Sequence, residues 1–163
     1  MEDKKYFSRQ IDESLMAWKN SIRHKPLLLR GARQVGKSSS VRHLAKQFDY
    51  FVEINFERKP AYLEIFKGDR DAKHIVEMIK SITGEPIVTG KTLLFFDEIQ
   101  MCQEAISSLR FFWEDMPGLH VIAAGSLLEF ALSEIPTFGV GRIHSMFMYP
   151  MSFDEFLNAL GMF

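Results

Sequence analysis

Two short stretches hold most of the residue types that do chemistry. Gly31-Ala32-Arg33-Gln34-Val35-Gly36-Lys37-Ser38 has the spacing glycine, four residues, glycine-lysine-serine, and Ser39 follows it. The glycines let the backbone turn successive N–H groups toward phosphate oxygens. Lysine at this position reaches the β- and γ-phosphates of a nucleotide, and the serine hydroxyl ligates Mg2+. The second stretch, Asp97-Glu98, closes the apolar run Leu93-Leu94-Phe95-Phe96. If that run is a strand beside the one that carries the phosphate loop, Asp97 orients Mg2+ through its water shell. Glu98 then polarises a water for in-line attack on the γ-phosphorus. Acidic residues are also common where a strand exits into solvent, but a phosphate loop earlier in the chain favours the catalytic reading.

Other candidates keep two readings each. Ser126 follows the apolar run Leu119–Ala124; it either senses the γ-phosphate and holds the attacking water or caps the next helix. Arg142, in Gly139-Val140-Gly141-Arg142, either stabilises transition-state charge at a neighbouring subunit's site or forms a surface ion pair. Arg33 either touches the nucleotide or pairs with a carboxylate. The five histidines show no metal-ligand spacing and read as structural. Cys102 has no basic neighbour in sequence to activate it and reads as buried filler.

Positioning these groups requires strands that end where the chemistry begins. Leu27-Leu28-Leu29 reads as a buried strand, and residues 37–48 carry Val41, Leu44, Ala45 and Phe48 on one helical face. Residues 50–56 alternate as a strand, and 60–67 and 71–83 read as two helices. Thr92–Phe96 and Leu119–Ala124 are further buried strands. A helix over 103–115 lies between them, and residues 127–133 read as helical. Residues 143–149 form a fifth strand. Ser152 then starts a helix with Glu155 in the capping-box position. An amphipathic helix over 8–22, with Ile11, Leu15, Trp18 and Ile22 inward, precedes them all. Strands alternating with helices imply an α/β fold with a mainly parallel sheet. Ligands of such sheets bind beyond the carboxyl ends of the strands.

With 163 residues, 47% of them hydrophobic and 25% charged, the chain has room for one packed domain. A net charge of −1 argues against a polybasic nucleic-acid binder. The charge is uneven, with 17 basic and 11 acidic residues over 1–80 against 3 and 10 over 81–163. One cysteine excludes an internal disulfide framework and a cysteine-based zinc site. No apolar run is long enough to span a bilayer, and Met1–Tyr6 is too polar for a signal peptide, so a cytoplasmic setting is expected.

Taken together, Leu28–Ser38, Leu94–Gln100, Ala124–Ser126, Gly139–Arg142 and Tyr149–Leu157 resemble a bacterial and archaeal branch of the AAA+ ATPases. Members of that branch join an ATPase core to a C-terminal domain of uncharacterised function. The resemblance runs from about Arg9 to the chain end. It implies a P-loop NTPase fold with five strands ordered 5-1-4-3-2. It gives Lys37 and Ser38 the Walker A roles, Asp97 and Glu98 the Walker B roles, Ser126 a sensor role and Arg142 an arginine-finger role. ATP and Mg2+ are the implied ligands. Relatives continue beyond the Tyr149–Leu157 segment, so residues 1–163 are expected to be the core without its helical lid and C-terminal domain. The expected function is ATP hydrolysis driving conformational change in a larger protein, weakly in this fragment alone. The alternatives are an ATP-bound switch or interaction module with little turnover, or a P-loop kinase, which Asp97-Glu98 and the lack of an Arg-rich lid disfavour. The expected partners are the C-terminal domain of the parent chain and a homo-oligomer with Arg142 acting in trans. Nucleic acid has no motif to support it.

Overall fold

The computed structural model describes residues 5–69, 71–133 and 141–162. Gly139 and Val140 of the expected glycine-flexed turn, Met1–Lys4 of the polar start and Phe163 lie outside the described residues. The elements run α1 (Ile11–Asn20), β1 (Leu27–Arg30), α2 (Lys37–Ala45), β2 (Tyr50–Asn55), a 3-10 helix (Pro60–Phe66) and α3 (Ala72–Thr83). They continue with β3 (Thr92–Asp97), a single 3-10 turn (Ile99–Met101), α4 (Gln103–Asp115), β4 (His120–Gly125), α5 (Leu128–Ser133), β5 (His144–Phe147) and α6 (Phe153–Ala159).

All strand pairings are parallel, and the sheet is ordered β2-β3-β4-β1-β5, the order that the family resemblance implies. Alternate residues of one strand face opposite sides. Leu27, Leu29, Leu93, Phe95, Ile122 and Ala124 therefore pack under α1 and α2. Leu28, Leu94, Phe96, Val121 and Ala123 pack under α3 and α4 on the other side. Burial on both faces is why these strands read as unbroken apolar runs.

β3 does not lie directly beside β1: β4 sits between them, as the implied order 5-1-4-3-2 requires. The phosphate loop still reaches Asp97, since β4 ends in Ala123-Ala124-Gly125 and offers no bulky side chain to chain crossing above it. The helix expected at 60–67 is present as a 3-10 helix over Pro60–Phe66, begun by Pro60. Ile22, expected on the inner face of the first helix, is 97% exposed. The helix stops at Asn20, and Ser21 turns extended (φ −70°, ψ 130°). Trp18 Nε1 then donates to the Lys25 carbonyl, which pulls the chain back over the helix end and leaves Ile22 outside.

Candidate functional site

The loop between β1 and α2 bends through left-handed backbone at Gly31 (φ 155°), Gln34 (φ 61°) and Gly36 (φ 104°). A side chain at Gly31 would collide with the Met148 carbonyl oxygen, so the close approach of the β5 exit requires glycine there. Lys37 folds back over the loop, and its Nζ donates to the carbonyls of Gly31 (2.9 Å) and Ala32 (2.5 Å). Burial lowers the pKa of Lys37 from its ordinary value, against the nearby charges of Glu98 and Asp97, which raise it. α2 opens directly after the loop, so its amide ends and its dipole face the same space.

β3 delivers Asp97, which is only 4% exposed. Its Oδ2 accepts from Ser38 Oγ at 2.7 Å, and its Oδ1 accepts from the Glu98 amide at 2.9 Å. Burial raises the Asp97 pKa above the ordinary carboxylate value, and these two hydrogen bonds oppose that rise. Arg42 on α2 stands 4.0 Å from Asp97 Oδ2 while its main partner is Glu53 on β2, at 2.7 Å. Glu98 takes a left-handed conformation (φ 54°), and its Oε2 accepts from Gln100 Nε2 at 2.6 Å.

Lys37, Ser38, Asp97, Glu98 and Ser126 all line one cavity of about 420 Å3, together with Arg33, Gln34, Gly36 and Ser39. Val35 instead packs into the core beneath the loop, while Gly31 and Ala32 contribute the carbonyls that hold Lys37. Ser126 is 5% exposed, and Leu127, with φ 53°, separates it from the first residue of α5. That intervening residue removes Ser126 from the helix-capping position. Arg142 lies elsewhere, with its Nε 3.2 Å from Glu114 Oε1 on the surface. A larger groove of about 790 Å3 between α1 and β5 contains none of the phosphate-loop residues.

The Ser38 hydroxyl and the Asp97 carboxylate are hard oxygen donors in mutual contact at the cavity wall, a donor set that fits Mg2+. Among the described residues, no group of three or more His, Cys, Asp or Glu side chains is placed to hold a metal. Cys102 is buried, and that burial pushes its pKa up to about 11.

Sequence reading missed two contributors. Gln100 entered only as the last residue of the Leu94–Gln100 stretch that carries the family resemblance, with no role attached. Arg9 lies in the segment before α1, yet its Nη1 donates to the Val35 carbonyl in the phosphate loop at 2.7 Å. The same guanidinium reaches Glu155 Oε2 at 2.7 Å and the Tyr149 carbonyl at 2.8 Å. Glu155 also completes the expected capping box with Ser152. It was legible only in that local role, because its partner is 146 positions away in sequence.

A phosphate loop after β1, an acid pair after β3, a polar residue after β4 and the β2-β3-β4-β1-β5 order define a P-loop NTPase core of the AAA type. The AAA domain family model matches residues 23–157, and the chain belongs to that family. No curated protein matches the sequence. Among solved structures, a chain from the structure of Drosophila ORC bound to DNA is similar, with a TM-score of 0.60 and 18% identity. The match covers 91% of this chain and 44% of the ORC chain, so this chain spans less than half of that neighbour's length. At that identity the likeness shows the fold alone.

Proposed function

We propose that the chain is an ATP-binding, Mg2+-dependent ATPase core whose hydrolysis of the γ-phosphate drives conformational change in a larger protein. The convergence of Lys37, Ser38, Asp97, Glu98 and Ser126 on one cavity supports this reading. The amides of residues 31–39 and the Lys37 ammonium hold the phosphates, with Lys37 exchanging its carbonyl partners for phosphate oxygens. Ser38 and Asp97 hold Mg2+, which when bound neutralises phosphate charge. Glu98 takes the proton of the attacking water. The water oxygen bonds to the γ-phosphorus as the bond to the β–γ bridging oxygen breaks, leaving ADP and phosphate. Ser126 hydrogen-bonds the γ-phosphate, and Arg33 contacts the nucleotide from the cavity rim. Phe130, Tyr149, Phe153 and Leu160 are exposed apolar side chains available for contact with a further domain.

ATP hydrolysis by the full-length protein tests the reading. Glu98→Gln is expected to keep nucleotide binding and lose turnover by about 100-fold or more, whereas Lys37→Ala loses binding as well. Equal turnover in wild type and Glu98→Gln removes Glu98 from its role.

A second reading, an ATP-bound switch with little turnover, is favoured by the position of Arg142. It pairs with Glu114 and does not line the phosphate cavity, so in a single chain the cavity lacks the charge stabilisation of this arginine, which supports slow turnover. Tight nucleotide binding with negligible turnover by the full-length protein selects the switch.

A further inference from the structure

Gln100 lines no part of the phosphate cavity, yet it touches the residue on which the proposed hydrolysis depends. Its Nε2 donates a 2.6 Å hydrogen bond to Glu98 Oε2. Its Oε1 is buried and has no hydrogen-bond partner among the described residues. That oxygen lies against Gly125 so closely that a Cβ there would stand 2.5 Å from it, so the end of β4 needs glycine to leave room. A buried amide oxygen without a donor destabilises a fold. Glu98 adds a left-handed backbone (φ 54°), a setting adverse to a side-chain-bearing residue.

The hydrogen bond to Glu98 and the orphaned oxygen act on stability in opposite directions and at similar size, so stability alone does not select glutamine here. Methionine, unbranched and of similar length, would fill the same space and bring no orphaned oxygen. An unpartnered acceptor, a strained glutamate and a clearance glycine instead meet at one hydrogen bond, the one that fixes the Glu98 carboxylate. Strain of this kind persists where the geometry serves function.

We infer that Gln100 is a positioning residue for Glu98. Its Nε2–H holds Oε2 of the carboxylate and leaves Oε1 to take the proton of the attacking water. The inference rests on the reading of Glu98 as the base. Because Gln100 stands outside the cavity, it bears on turnover and not on nucleotide affinity.

Gln100→Met in the full-length protein separates this role from a structural one. We expect kcat for ATP hydrolysis to fall about tenfold or more. KM and the dissociation constant of a fluorescent ATP analogue stay within about twofold of wild type. Tm stays near that of wild type, because the lost hydrogen bond and the lost orphaned oxygen offset one another. A purely structural Gln100 gives the opposite pattern, with Tm lowered and kcat retained, and wild-type kcat in Gln100→Met overturns the inference. Should the methionine variant not fold, Gln100→Glu at pH 8 decides, since an ionised carboxylate of the same shape cannot donate to Glu98. Wild-type kcat in that variant overturns the inference equally. Glu98→Gln run alongside keeps the two readings apart. Undiminished turnover there sinks the base assignment and this inference with it. A dead Glu98→Gln beside a fully active Gln100→Met sinks the positioning role alone.

Discussion

Every residue of β3 and β4 is buried, whereas His144, Ser145 and Phe147 of β5 are exposed and α6 buries only Glu155 fully. The first region is held by apolar side chains packed on both faces of the sheet. Beyond the β1–β5 ladder and the packing of Met148 and Met146 on the core, the second is tied to the rest by a polar clamp around Arg9, which joins Glu155, the Val35 carbonyl and the Tyr149 carbonyl. A packed core fixes its strands by many weak contacts, none of which is decisive. A buried ion pair concentrates the same task in two side chains, and losing either leaves an uncompensated charge. The phosphate loop lies between the two regions, with Val41 and Leu44 of the following helix in the core and the Val35 carbonyl in the polar clamp.

The clamp should be the more fragile half. Glu155→Gln leaves the Arg9 guanidinium buried without a counter-charge, which costs about 3 kcal/mol and lowers Tm by roughly 6–12 °C for a chain of this size. Thermal melts at pH 7 measure it, and an unchanged Tm would dissolve the contrast. The acid dependence should change too. Burial alone would raise the Glu155 pKa, but hydrogen bonds from the Ser152 and Gln10 amides and from Arg9 prevail and hold it down to about 2. A folded value below the unfolded one means stability that is present above pH 4.5 and lost as the pH falls from there toward 2. Glu155→Gln abolishes that loss.

The core has its own, earlier acid window. His120 stacks on His24 with ring centroids 3.7 Å apart, meets Trp18 and Phe48 edge-on, and bonds the Lys19 carbonyl through Nε2. Burial pushes its pKa down to about 4, against the hydrogen bond to Lys19, while the neighbouring His24 and Lys19 charges lower it further. The neutral ring is the folded form. Stability present above pH 6.5 therefore drains as the pH falls toward 4, by up to about 3 kcal/mol. His120→Phe costs about 1 kcal/mol at pH 7 through the lost hydrogen bond and flattens this window. Urea midpoints at pH 7.5 and 4.5 read both effects. A slope identical to wild type would assign the loss to other groups.

The smallest change expected is at Arg142. Its ion pair with Glu114 is surface-exposed on both sides, so Arg142→Ala shifts stability by less than about 0.5 kcal/mol. If Arg142 serves a neighbouring subunit, the same variant loses turnover in a manner that depends on protein concentration. Turnover unaffected at every concentration excludes that service and leaves Arg142 an ordinary surface contact.

Local patterns carried most of what could be read in advance. The phosphate-loop spacing, the apolar run ending in Asp97-Glu98 and the Ser152/Glu155 capping box depend on residues within a few positions of one another. They survive any arrangement of the remaining chain. The helix at Gln103–Asp115 and the buried strands were legible for the same reason, since both periodicity and unbroken apolar runs are written along the sequence. Ile22 was misplaced because a helix end depends on how the following chain is held, here by Trp18 and the Lys25 carbonyl.

The sequence by itself determined which groups can bind phosphate, hold a hard cation and take a proton, because those abilities belong to residue types at short spacing. Only the tertiary structure decided how they meet. It put β4 between the two site-bearing strands and brought Ser38 to 2.7 Å from Asp97 across it. It also paired Arg9 with Glu155, placed Gln100 on Glu98 and turned Arg142 away to Glu114. Hydrogen bonds and ion pairs act over a few ångströms, and for residues far apart in sequence that proximity is set by the order of the strands and the packing of the helices on them.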